Sequence, residues 1–213
     1  MNTIYLIPGL GADSRLFENY RFPGFTTHVL EWITPTKKET LTSYAQRMSK
    51  AITEEHCFIL GVSFGGMIAV EIGRIKPFAR IILLSSVASY QHIPTFTRWT
   101  ASSGAIRLLP DWLLQNPGRI ASWLFGVTTS EGRHMLKEIM GDTPPSFTRW
   151  AVSAIGRWRG QSIQNQKLCV HGRSDLVLPS ASEVDHLLPG GHFIVFDSST
   201  VINDLILQWM QDN

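Results

Sequence analysis

Thiols are scarce in this chain, whose 213 residues include two cysteines, Cys57 and Cys169. Each falls inside a predicted central strand, which favours buried free thiols in a reducing compartment over a bridge. With so few cysteines and no paired histidines at ligand spacing, no zinc site, other metal or cofactor is expected. No apolar run approaches the ~20 residues that crossing a bilayer requires. No block of like charge is longer than Lys37-Lys38. The chain therefore lacks the basic stripe that nucleic acid or an anionic membrane surface would call for. The first residues enter a strand with no basic segment, long apolar core or small-residue cleavage site, so no signal peptide is expected. The expected setting is the cytoplasm. The expected partner is a small-molecule substrate, with no nucleic acid and no membrane, and the protein is expected to be a monomer or homodimer.

What is present is ordinary globular material, 44% hydrophobic and 17% charged with a net charge of +2. That length suits one α/β domain around a sizeable core. Short apolar runs at Thr3–Ile7, Thr27–Leu30, Cys57–Leu60 and Arg80–Leu84 read as strands. Between them, Asp13 or Ser14 can cap a short helix to about Tyr20, and Thr40 can cap one from Leu41 to Ala51. Strands alternating with helices imply a parallel sheet with right-handed crossovers. The pattern then changes. From about Tyr90 to Gln164 there are only short helix-like pieces, broken by Pro94, Pro110, Pro117 and Pro144-Pro145. Strand patterning returns at Lys167–His171 and near Val184–Leu188, and Val201–Met210 reads as an amphipathic helix. A helical cap inserted between the fourth and fifth strands is the simplest description.

The organising stretch is Gly61-Val62-Ser63-Phe64-Gly65-Gly66, set between a strand and a helix. Gly-x-Ser-x-Gly in that context is a nucleophile elbow, where neighbours without side chains let strand and helix approach and leave the serine Oγ exposed. A serine hydroxyl needs a base to take its proton and a third group to fix the base's tautomer. The chain order for such a site is Ser, then Asp or Glu, then His. Two later loops supply it. Asp175 lies in His171-Gly172-Arg173-Ser174-Asp175 after the fifth strand, and His192 in Pro189-Gly190-Gly191-His192 after the last. All three loops belong at the carboxyl ends of the strands, where open α/β sheets bind ligands. Alone, Asp175 fits a turn cap equally well, and His192 a surface histidine. Their joint order is what argues for chemistry. His171 is expected to orient the Asp175 loop. For the oxyanion, the backbone N–H of Phe64 is one donor, and that of Leu10, in Pro8-Gly9-Leu10-Gly11, is the expected second.

Together these residues resemble the α/β-hydrolase superfamily, in particular its small, capped, cofactor-free, esterase-like members. The similarity spans nearly the whole chain: the Gly9-Leu10 loop, the Gly61–Gly65 elbow, the His171-Gly172-x-x-Asp175 loop with Pro179 beyond it, and Gly191-His192-Phe193. Pro8-Gly9 stands where the family usually has His-Gly. The family's first antiparallel strand pair has no counterpart here. The resemblance implies a three-layer α/β fold with a mostly parallel sheet of about six strands, here all parallel. Residues 1–89 and 165–213 would form the core and 90–164 the cap. It also implies Ser63 as nucleophile, His192 as general base and Asp175 as its orienter, cleaving a small, partly apolar carboxylic ester through an acyl-enzyme. Thioesterase, lyase or cofactor-free oxygenase chemistry and a non-catalytic small-molecule receptor are the competing readings.

Five of the seven tryptophans fall in the cap: Trp99, Trp112, Trp123, Trp150 and Trp158. With Phe96, Phe125 and Phe147 they suggest an apolar pocket roofing Ser63, with about two of the five indoles at its wall. The arginines Arg98, Arg107, Arg119, Arg133, Arg149, Arg157 and Arg159 make the cap mildly basic, and some are candidates to meet a substrate carboxylate.

Overall fold

The computed structural model describes residues 2–116, 118–180 and 184–212. Pro117, one of the expected helix breakers, lies outside them. Six apolar, β-branched or aromatic runs form strands: β1 (Thr3–Ile7), β2 (Thr26–Val29), β3 (Phe58–Val62), β4 (Arg80–Leu84), β5 (Lys167–Gly172) and β6 (His186–Leu188). They make one sheet in the order β2-β1-β3-β4-β5-β6, and every neighbouring pair is parallel. This is the all-parallel six-stranded sheet expected from the sequence.

Alternate residues of the central strands feed two separate cores. Ile7, Ile59, Ile81, Leu83 and Cys169 point to one face, where α1 (Leu41–Met48) and α2 (Phe64–Ile75) pack through Tyr44, Met67 and Ile68. Leu6, Leu60, Ile82, Leu84 and Val170 point to the other, against α8 (Ile194–Asp197) and α9 (Ser199–Asp212) through Ile194, Ile202 and Ile206. Because both faces are covered, the strands read as continuous apolar runs rather than alternating ones. Cys57 and Cys169 are buried and free. β4 runs between β3 and β5, so two strand spacings of ~4.8 Å separate the thiols' strands, too far for a bridge. Burial raises the Cys57 thiol pKa to about 11, which leaves it unreactive.

Several boundaries differ from the sequence reading, each for a local reason. β3 runs on through Gly61 and Val62, because Val62 pairs with Leu84 and the ladder does not stop at the glycine. The first expected helix is only a 3-10 turn, Ser14–Phe17, capped by the Asp13 side chain on Arg15 N–H. Thr40 caps α1 as expected, in a reciprocal arrangement with Ser43. The helix ends at Met48 and tightens into a 3-10 turn, Ser49–Ala51.

Between β4 and β5 the described residues form no strand. They form α3 (Thr95–Ser102), α4 (Asp111–Gln115), α5 (Gly118–Leu124), α6 (Ser130–Asp142) and α7 (Pro145–Arg157). α7 joins the sheet's own core through Phe147, Ala151 and Ala154. Just beyond it, buried Trp158 donates its indole N–H to the buried Glu71 carboxylate of α2 at 2.8 Å. That bond gives the buried carboxylate a partner.

The end of β1 and the start of α2 cross almost in contact. A Cβ on Gly65 would lie 2.2 Å from the Pro8 carbonyl oxygen and 2.5 Å from that of Ile7. A Cβ on Gly61 would lie 2.4 Å from the Gly65 carbonyl oxygen. These are backbone atoms of the core and have nowhere to move. Gly141, inside α6, has no atom within 4 Å of such a Cβ. Gly65→Ala should therefore cost more than the ~1–3 kcal/mol of ordinary overpacking. Gly141→Ala should gain up to ~1 kcal/mol of helix propensity. Urea unfolding of both variants checks this, and equal effects at the two glycines would refute the contact argument.

Candidate active site

Ser63 joins β3 to α2 in a conformation that L-residues avoid, with φ at 51° and ψ at −116°. Such a residue carries ~1–3 kcal/mol of strain and persists only when its surroundings hold it. Here its N–H donates to the Leu84 carbonyl at 2.9 Å, and its own carbonyl accepts the Ser86 hydroxyl at 2.6 Å. Ser63 occupies the N-cap position of α2 but makes no cap hydrogen bond with its side chain. A serine there normally spends its oxygen on a helix N–H. This Oγ instead lies 2.7 Å from Nε2 of His192.

The other nitrogen of that ring, Nδ1, is 2.7 Å from Oδ2 of Asp175. Asp175 is saturated with donors. Its Oδ1 accepts the Val177 and Leu178 N–H groups at 2.9 and 2.8 Å, and its Oδ2 also faces Nε2 of His171 at 3.0 Å. Burial pushes the Asp175 pKa up, but hydrogen bonds from His171 and His192, the electrostatic attraction of His192 and the Leu178 N–H outweigh it. The net effect lowers the pKa from an ordinary 3.8 to about 2. A carboxylate ionised across the working pH range can only accept, so His192 Nδ1 carries the proton and Nε2 presents its lone pair to the Ser63 hydroxyl. His171 Nε2 also lies 2.6 Å from the Leu178 carbonyl oxygen, so it too is a donor, and its ring pins the Asp175 loop.

Backbone contacts hold the two loops together. Arg173 N–H donates to the Leu188 carbonyl and Ser174 N–H to that of Gly190, at 2.8 and 2.9 Å. Phe193 N–H donates to the Phe125 carbonyl at 3.0 Å, and the Phe125 ring meets His192 edge-on. Residues of the β4–β5 connection thus steady the imidazole. The sequence reading gave Phe125 and Ser86 no such part. Ser86 was discoverable in principle, because it follows β4 at the same carboxyl rim.

Gly9 and Leu10 lie beside Ser63, and a Cβ on Gly9 would be 3.8 Å from the Ser63 Cβ. Neither the Leu10 nor the Phe64 N–H meets an acceptor among the described residues. Two unsatisfied donors at the mouth of a helix N-terminus suit an anion. All of this opens into a cavity of about 450 Å³ lined by Leu10, Ser63, Phe64 and His192 together with apolar residues from α3 to α7. Among the described residues, no arginine, lysine, aspartate or glutamate lines it, and no tryptophan does.

The expectation of two indoles in the pocket wall is therefore overturned. Trp158 is tied to Glu71, and Trp150 donates to the Glu39 carbonyl while packing on Tyr44 and Phe64. Trp99, Trp112 and Trp123 face outward. Of the three phenylalanines, only Phe125 reaches the cavity. None of the seven arginines named between residues 90 and 164 lines it. Among the described residues, no three His, Cys, Asp or Glu side chains are grouped as a metal site would need.

The architecture has counterparts among solved structures. A thermophilic esterase from Thermogutta terrifontis matches with a TM-score of 0.76 at 16% identity, covering all of this chain and 90% of its own. A meta-cleavage product hydrolase from Pseudomonas fluorescens matches at 0.69 and 17%, covering 100% and 91%. A bromoperoxidase from Bacillus anthracis matches at 0.72 and 14%, covering 99% and 92%. The chain has the α/β-hydrolase fold. No family model and no curated protein sequence matches it.

The depressed Asp175 pKa carries a stability signature. Its folded value lies below its unfolded one, so its contribution is present above pH ~4 and is lost as pH falls towards 2. The stability difference between wild type and Asp175→Asn should shrink by roughly 2 kcal/mol across that window. Urea unfolding from pH 6 to pH 2 measures it, and a pH-independent difference would refute the assignment.

Proposed function

We propose that the protein is a serine hydrolase that cleaves a small, partly apolar carboxylic ester through an acyl-enzyme. The observation that carries this reading is the continuous relay from Asp175 through His192 to the Ser63 hydroxyl, at the wall of an apolar cavity. In this reading the substrate's acyl chain lies among Leu113, Leu114, Leu136 and Val152, with the ester carbonyl carbon against Ser63 Oγ. Oγ attacks that carbon while its proton passes to His192 Nε2. The resulting oxyanion is met by the Leu10 and Phe64 N–H groups, each worth roughly 3 kcal/mol in comparable sites. Collapse of the intermediate expels the alcohol, which leaves with the proton from Nε2. A water molecule then gives its proton to Nε2 and attacks the acyl carbon. The second collapse releases the carboxylic acid and returns the proton to Ser63. Asp175 holds the imidazole in the required tautomer throughout.

Residues 90–164 act in this scheme as a cap, supplying most of the apolar wall and excluding water from the oxyanion. The absence of charged side chains from that wall supports an acyl group without a carboxylate of its own. The named counterparts, an esterase, a hydrolase and a bromoperoxidase, agree with the fold but are too distant to assign the chemistry.

Ser63→Ala should lower kcat/KM for p-nitrophenyl butyrate by at least ~10³-fold, since the hydroxyl, imidazole and carboxylate act as a unit. A fluorophosphonate probe should label the wild type at Ser63, as read by peptide mass spectrometry. Undiminished turnover in the alanine variant, or turnover with no covalent adduct on Ser63, would eliminate the acyl-enzyme.

A further inference from the structure

The helices that wall the cavity have a second, outward face that water should not favour. Trp99 on α3, Trp112 on α4 and Trp123 on α5 are 67, 65 and 69% exposed. Leu108, before α4, and Ile120, on α5, are 87 and 76% exposed, and Phe96 on α3 is 75% exposed. Monomeric soluble proteins seldom show so much apolar surface over one short stretch unless something covers it. The inner residues of the same elements, Thr97, Ala101, Ile106, Leu113 and Leu124, line one cavity, so these elements surround it. Leu109 and Leu124 do both: they line the cavity and are 38 and 37% exposed. Two apolar side chains thus belong both to the cavity wall and to the outer face.

Charge narrows the choice of occupant. From Pro94 to Gly126 the only acidic residue is Asp111, which pairs with Arg149 at 2.6 Å. Arg107 and Arg119 are exposed, with no ion pair among the described residues. A second copy of this chain would meet the face symmetrically and bring four uncompensated guanidinium groups into one interface. An anionic lipid surface instead offers acyl chains for the indoles and aliphatic groups and phosphates for the arginines. Tryptophan on short amphipathic helices suits the boundary between headgroups and chains.

We propose that Phe96, Trp99, Leu108, Trp112, Ile120 and Trp123 dock the protein on an anionic lipid surface, with Leu109 and Leu124 linking that surface to the cavity. No helix among the described residues is long and apolar enough to cross a membrane, and docking of this kind needs none. A basic stripe would be called for if charge alone drove the binding; here the apolar face drives it and the two arginines add the preference for anionic lipid. The function of the docking rests on the ester-hydrolase reading: an apolar ester would enter the cavity from the lipid without crossing water.

Flotation with vesicles of phosphatidylcholine alone, and with about one-third phosphatidylglycerol, tests the proposal. The wild type should float with the anionic vesicles and much less with the neutral ones. Arg107→Gln with Arg119→Gln should weaken anionic binding by roughly 5-fold per arginine, about 25-fold together. Trp112→Glu with Trp123→Glu should abolish it, while hydrolysis of a water-soluble short ester stays at the wild-type level. Ser63→Ala should float as the wild type does, so loss of docking and loss of hydrolysis are read separately. No flotation of the wild type at millimolar lipid, or unchanged flotation of the tryptophan variant, would overturn the proposal. So would a wild-type dimer in analytical ultracentrifugation that the tryptophan variant dissociates, since the face would then belong to a second copy.

Discussion

The start of α2 lies so close to the end of β1 that no side chain fits between them. The Gly65 Cα faces the carbonyl oxygens of Ile7 and Pro8, and Gly61 lies under the Gly65 carbonyl. That contact sets the rest of the site. It forces the chain to reverse at one residue, which puts Ser63 at a positive φ and turns its side chain away from the helix it should cap. It also brings the β1 loop, with Gly9 and Leu10, alongside the same residue. Donors for an anion and the hydroxyl that would create one are therefore placed by a single steric event. The strain at Ser63 is held by its bonds to Leu84 and Ser86, both at the end of β4. A neighbouring strand stabilises what the elbow alone would not keep.

Electrostatics supply the second constraint. A buried carboxylate costs several kcal/mol unless its lone pairs are met. Asp175 is met on every side, by two backbone N–H groups and two imidazoles. Charge is admitted at the site only in this compensated form, and among the described residues no aspartate, glutamate, lysine or arginine lines the neighbouring cavity. The field of Asp175 therefore falls on His192 with little competition. Low polarity around the hydroxyl also strengthens whatever the Leu10 and Phe64 amides offer.

Some of this could be read from the sequence, and the part that could not has a physical pattern. The succession of strands and helices along the chain, the elbow and the positions of Asp175 and His192 follow from local signals: apolar runs, glycines at forced contacts and turn residues after strands. Each signal is confined to a few neighbouring residues, so a one-dimensional reading can carry it. The sheet was all parallel as expected, and only the strand ends moved, as with β3 running through Gly61. The surroundings of the cavity were harder. Ser86 supports Ser63, and Phe125 supports His192, across 23 and 67 residues of chain (86 − 63 and 192 − 125). Ser86 is marked only by its place just after β4, and nothing near Phe125 in the sequence marks its contact.

The tryptophans show the same limit most clearly. Four of the five lie in proline-punctuated helices and Trp158 directly follows one, yet they have three different fates. Trp158 satisfies a buried glutamate, Trp150 packs the connection onto α1 and α2, and three others face outward. An indole is large, apolar and able to donate one hydrogen bond, so it suits a core, a cavity wall or a wet boundary equally. What distinguishes the fates is the second layer of contact, which composition does not record. On α3, α4 and α5 the cavity is lined by threonine, alanine and leucine, and the bulky aromatic groups point out. A helix stabilised only by burial would turn the larger apolar surface inward. Here the small inward residues have a packing reason at α3, where a Cβ on Gly156 of α7 would lie 2.4 Å from the Ser102 nitrogen, while the indoles are left outside. An outer face of that kind is what the proposed lipid docking would cover.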